Sequence, residues 1–129
     1  MNRVTVTGAN GFIGSNLLPK LSDHYSQVYA VSTNKENISL NNNIEWVTQD
    51  LNVIDDFTYM KMGSPQTLIH LAWSSLRDLN NEKHISENYH YHLTFLKYMI
   101  DSGVKILFVS GTCLEYKIQN NLCLSEESE

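Results

Sequence analysis

Gly8, Gly11 and Gly14 stand directly behind the apolar run Val4-Thr5-Val6-Thr7, and Phe12, Ile13, Leu17, Leu18 and Leu21 follow at helical spacing. A glycine triplet alone is common in turns. A strand before it and a helix after it make it specific, because each glycine then has a task. The first allows a tight turn off the strand, the second lets the backbone approach a pyrophosphate, and the third lets the helix pack on the sheet. Unpaired N–H groups at the start of that helix face the phosphates. The segment therefore points to a dinucleotide.

Apolar periodicity alternates between strand and helix along the chain, as expected for a parallel sheet covered on both faces. Strands are predicted near residues 2–7, 27–31, 44–48, 66–71 and 104–109, with helices near 12–22, 53–61 and 81–102. Asn41-Asn42-Asn43 and the stretch from Ser32 to Asn37 carry polar turn chemistry, and Gly63-Ser64-Pro65 breaks the second helix before the fourth strand. Right-handed crossovers then give a doubly wound α/β sheet of Rossmann type with order 3-2-1-4-5, truncated after the fifth strand, and ligand chemistry at its carboxyl edge. On the long helix, Ile85, Tyr89, Leu93, Leu96 and Ile100 form one apolar face and Tyr91, Phe95 and Tyr98 a second. Two such stripes imply two packing partners, one of them the sheet. Gly103 suits the helix C-terminus, whereas Pro19 inside the first helix is expected to kink it.

A chain of 129 residues is one domain's worth, able to bury about two-thirds of its unfolded surface. A net charge of −5 argues against a nucleic-acid partner, which needs clustered Lys and Arg. The first residues already form the buried strand, and no apolar run approaches the ~20 residues of a membrane span. A cytoplasmic protein is the expectation. Cys113 and Cys123 form no CxxC pair and suggest no disulfide framework. No metal site is expected: His90 and His92 point to different helix faces, and His70 in an apolar strand suits a satisfied core imidazole.

Several segments in order resemble the extended short-chain dehydrogenase/reductases: TGANGFIGSNL, Asp50-Leu51 after the third strand, His70-Leu71-Ala72-Trp73 at the fourth, Asn88 in the long helix, and Ser110-Gly111-Thr112-Cys113-Leu114-Glu115-Tyr116 after the fifth. The resemblance covers essentially the whole chain as a single NAD(P)-binding domain, residues 1–129. Members of that family include nucleotide-sugar epimerases, dehydratases and 4-keto reductases. The resemblance implies that Gly8, Asn10, Gly11, Phe12, Ile13 and Gly14 line the pyrophosphate. It also implies that Asp50 accepts from the adenine amino group with Leu51 against the ring, and that Leu71 and Ala72 present backbone near the nicotinamide. It further implies that Trp73, Ser74 and Ser75 border the substrate, that Asn88 lies at the active site, and that Thr112 is the catalytic hydroxyl on the sugar oxygen. Ser32 stands where NAD-preferring members carry a carboxylate, and with Thr33 and Lys35 it favours NADP over NAD.

The family's catalytic Tyr-x-x-x-Lys pair, which exchanges a proton as hydride moves, is absent: no lysine here has tyrosine four positions before it. The acidic end from Leu124 to Glu129 resembles the stretch just upstream of that pair. The expectation is the cofactor-binding portion of a nucleotide-sugar oxidoreductase, of 4-keto-6-deoxysugar reductase or 4-epimerase type, inactive by itself. The alternatives are a non-catalytic dinucleotide sensor or an inactive truncated product. A dehydratase is disfavoured because Cys113 and Leu114, rather than an acid pair, follow Thr112. The missing helix would cover Tyr91, Phe95 and Tyr98. The expected partners are a nucleotide sugar and a second copy through the long helix, with self-association of the uncovered chain.

Overall fold

The computed structural model describes residues 2–34, 42–74, 78 and 80–111. Five parallel strands, β1 (Arg3–Thr7), β2 (Gln27–Ser32), β3 (Ile44–Thr48), β4 (Thr67–His70) and β5 (Ile106–Val109), form one sheet in the order β3-β2-β1-β4-β5. The expected topology is the observed one. Val4 pairs with Val28 on one side and Thr67 on the other, and Thr7 with Val31 and His70. Alternation along the strands then sends residues to two cores. Val4, Val6, Val28 and Ala30 pack with Leu18 of α1 (Phe12–Ser22) on one face. Leu68 packs with Met62, Phe95, Met99 and Val104 on the other, under α3 (Tyr89–Ser102). Both faces being covered explains the near-continuous apolar strands.

Pro19 lies inside α1 without ending it, so the predicted disturbance leaves the helix span unchanged. Gly103 closes α3 at φ +133°, with its N–H on Ile100 O at 3.1 Å, as its position suggested.

The second helix is shorter than its apolar pattern suggested: α2 spans only Thr58–Lys61 rather than 53–61. Side chains take the backbone groups that a longer helix would need. Asp50 Oδ1 accepts Asn52 N–H at 2.9 Å, Gln49 Nε2 donates to Val53 O at 2.7 Å, and Asp55 Oδ1 accepts Phe57 N–H at 3.0 Å. Such local bonds compete with helix, and here they delay its start.

The long helix begins as a π-helical turn over His84–Asn88 and continues as α3. Its buried stripe is Asn88, His92, Phe95 and Met99 rather than the predicted Ile85, Tyr89, Leu93, Leu96 and Ile100, of which Leu96 packs partly buried against the same core. Ile85, Tyr89 and Ile100 are exposed, whereas Phe95, placed on the outer stripe by the sequence reading, is fully buried. A one-residue shift is about 100° of helix rotation. It follows from polar side chains, Asn88 and His92, turning inward to meet polar groups of the sheet. Beside this helix, β5 presents Ile106, Phe108 and Val109 outward as the sheet's outer strand among the described residues.

Candidate functional site

A cavity of about 330 Å³ opens at the carboxyl ends of β1 to β4. The chain order reverses between β1 and β4, the place where open α/β sheets bind ligands. Its floor is the turn from Gly8 to Gly11. Gly8 has φ +66°, and a Cβ there would lie 2.8 Å from Ala72 N and 2.9 Å from Leu71 C, both backbone atoms. A Cβ on Gly14 would lie 2.5 Å from Gly8 O, so α1 touches the turn backbone to backbone. The N-cap of α1 is Gly11, which brings no side-chain cap, and no acidic residue stands in the first turn. The positive end of this helix therefore lies at the turn beside the cavity, which suits an anion.

At the β2 and β3 end the wall is formed by Val31, Ser32, Gln49, Asp50 and Leu51. Ser32 is buried, and its hydroxyl accepts Asn34 N–H at 3.1 Å. Asp50 is exposed, with one carboxylate oxygen engaged by Asn52 and the carboxylate otherwise open to a donor. At the β4 end the wall is Leu71, Ala72, Trp73 and Ser74.

Of the residues singled out from the sequence, Gly8, Asn10, Gly11, Ser32, Asp50, Leu51, Leu71, Ala72 and Trp73 thus line one cavity. Phe12 and Ile13 do not: their side chains are 87% and 58% exposed and border a separate shallow hollow with Leu17 and Lys20. Any contribution of theirs to a phosphate site is through backbone N–H. Gly14 is buried behind Gly8 rather than lining the cavity. Asn88 braces the wall from behind, accepting from Ser74 Oγ at 2.6 Å and donating to Ser74 O at 3.0 Å. Lys35, Ser75, Thr112 and the Cys113 to Tyr116 segment lie outside the described residues.

Sequence reasoning missed Thr7 and His92, which also line the cavity. Thr7 Oγ1 lies 2.8 Å from His70 Nδ1, and His70 Nε2 lies 2.8 Å from His92 Nδ1. His70 is the satisfied core imidazole expected of it, but its second partner comes from a helix 22 positions away, beyond any local pattern. The His92 ring stacks on Trp73 with centroids 4.9 Å apart, and Trp73 Nε1 donates to His84 Nδ1 at 2.9 Å. Among the described residues no cluster of His, Cys, Asp or Glu is arranged to hold a metal ion.

Burial holds His70 down to about 4, with the neighbouring His92 adding to the effect, and burial lowers His92 as well. The unfolded chain takes up the His70 proton near pH 6.5, the folded chain only near 4. Between these values the unfolded state binds more protons, so the contribution is fully present above pH 6.5 and declines as pH falls towards 4. We expect the protein to be about 2 kcal/mol less stable at pH 5 than at pH 7.5 through this group alone. Urea unfolding at the two pH values, compared with His70→Gln, measures it. An equally steep dependence in the variant would remove His70 as the cause.

A parallel 3-2-1-4-5 sheet with a glycine turn at its switch point defines the Rossmann class. Residues 4–128 match the NAD dependent epimerase/dehydratase family, and the chain belongs to it. Among solved structures it resembles the epimerase Mth375 of Methanothermobacter thermautotrophicus, at 24% identity and a TM-score of 0.74 over 98% of this chain and 40% of that one. It also resembles MoeE5 solved with UDP-glucose and NAD, at 23% identity and a TM-score of 0.75 over 98% of this chain and 42% of that one. The UDP-glucose 4-epimerase of Thermotoga maritima, solved with UDP-glucose, matches at 25% identity and a TM-score of 0.65 over 85% of this chain and 38% of that one. The chain thus spans about two-fifths of the length of these proteins. No helix among the described residues is long and apolar enough to cross a membrane.

Proposed function

We propose that these residues are the cofactor-binding portion of an NAD-dependent nucleotide-sugar oxidoreductase, of 4-epimerase or 4-keto-6-deoxysugar reductase type. The observation that carries the reading is the Gly8 turn pressed against the Ala72 backbone, with the start of α1 at Gly11 beside it at the sheet's switch point. A cradle too tight for any Cβ, next to a helix N-terminus with no acidic residue in its first turn, fits a pyrophosphate. In this reading the α1 end binds the pyrophosphate, Asp50 accepts from the adenine amino group, and Leu51 packs on the ring. Leu71 and Ala72 flank the nicotinamide half, and Asn88 positions Ser74 beside it. Thr112 hydrogen-bonds the reacting sugar oxygen. The bound cofactor supplies the hydride exchange.

NAD is proposed over the NADP that the strand end suggested. Ser32 offers no carboxylate, and its buried hydroxyl accepts Asn34 N–H while keeping its own proton to donate, so it does not decide between the two cofactors. What favours NAD is that MoeE5, of the same fold, was solved with NAD. NADP is expected to bind about tenfold more weakly, or ~1.4 kcal/mol. Titration calorimetry with NAD and NADP tests the reading. Tighter binding of NAD supports it, tighter binding of NADP restores the expectation from Ser32 and Thr33, and absence of binding by the folded protein removes the function altogether.

A further inference from the structure

The Thr7–His70–His92 chain has a direction. Thr7 is fully buried, and its Oγ1 can only accept from Ala72 N–H at 3.4 Å. The one acceptor within reach of its hydroxyl proton among the described residues is His70 Nδ1, at 2.8 Å. A buried hydroxyl that donates nowhere is costly, so the network assigns the Thr7 proton to Nδ1. His70, neutral, then carries its own proton on Nε2 and donates it to His92 Nδ1. With Nδ1 accepting, the neutral His92 ring must hold its proton on Nε2. Thr7 and His70 thereby act as positioning residues for a donor one ring further on.

That ring lies on the cavity wall, only 8% exposed, with its plane held against Trp73. A neutral N–H in this place suits an uncharged oxygen acceptor. The uncharged oxygens of a dinucleotide distal to its adenine half are those of the ribose and of the carboxamide.

We propose that His92 is a further ligand-binding residue, donating Nε2–H to a ribose or carboxamide oxygen of the nicotinamide half, in a tautomer set through His70 by Thr7. The proposal rests on the dinucleotide reading above. His92→Phe keeps an aromatic ring beside Trp73 and loses the donor; it is expected to weaken NAD binding about fivefold. His92→Gln restores an N–H at similar reach and should recover most of that loss.

The deciding experiment is nitrogen NMR of the ¹⁵N-histidine-labelled protein at pH 7.5, with His92 assigned by its loss in His92→Gln. The expected result is a protonated Nε2 and an unprotonated Nδ1, with the Nε2 signal moving on saturation with NAD. The same movement with ADP-ribose places the acceptor on the ribose, and movement with NAD alone places it on the carboxamide. A proton on Nδ1 overturns the proposal, as does a His92 signal unmoved while the Gly8, Gly11 and Gly14 amides shift. If those amides are unmoved as well, the dinucleotide reading itself fails.

Discussion

Gly14→Ala is expected to destabilise the protein by about 3 kcal/mol, the upper end of overpacking costs, and to abolish dinucleotide binding. The added Cβ would sit 2.5 Å from Gly8 O and 2.7 Å from Ala9 Cα and O. All three are backbone atoms of the turn, so no side chain can swing aside, and α1 must lift from the sheet or the turn must deform. Either movement spoils the proposed phosphate cradle. Gly11→Ala is the control within the same motif: its φ is −72° and its nearest obstacle, Gly8 O, is 3.2 Å away. It should be markedly milder. Denaturant unfolding and NAD titration of both variants check the ranking. A Gly14→Ala protein with native stability and native affinity would mean that the contact between helix and turn is not what shapes the site.

Phe95→Ala is expected to cost about 3–5 kcal/mol, the range for emptying a buried aromatic position. Phe95 is completely buried on α3 among Leu68, Met62 and Met99, and its ring lies 5.6 Å from that of His70. It therefore holds the helix that carries His92 against the strand that carries His70. Phe95→Leu, which fills most of the space, should lose much less. Thermal and urea unfolding of the two variants measure the effect, and a loss below about 1 kcal/mol for alanine would place the helix elsewhere.

The sheet was legible because its strands are apolar throughout, its turns carry Gly, Pro and Asn, and parallel crossovers leave few ways to order the strands. The site was legible where it is made of backbone. Gly8 and Gly11 mark a turn by their type, and Leu71 and Ala72 follow the strand that the turn touches.

What the pattern misjudged were side chains whose partners are distant in sequence. The rotation of α3 turns on Asn88 and His92, which are polar and so lowered the apolar score of the face that is in fact buried. The hydrogen bonds that bring them inward are made to Ser74 and His70, and no periodicity encodes those. The start of α2 was misplaced for a related reason, since Asp50, Gln49 and Asp55 spend their side chains on nearby backbone groups. Phe12 and Ile13 share a motif with the glycines but are exposed and do not line the cavity, because it is Gly14 that takes the buried position at the start of the helix.

The central claim is that a nicotinamide dinucleotide lies across the Gly8 turn with its pyrophosphate on α1. Amide NMR of the folded protein titrated with NAD tests it most directly. The account predicts saturable one-site binding, with the largest shifts at Gly8, Gly11 and Gly14 and lesser ones at Asp50 and Ala72. Binding that leaves those glycine amides unmoved, or no binding by a demonstrably folded protein, would contradict it.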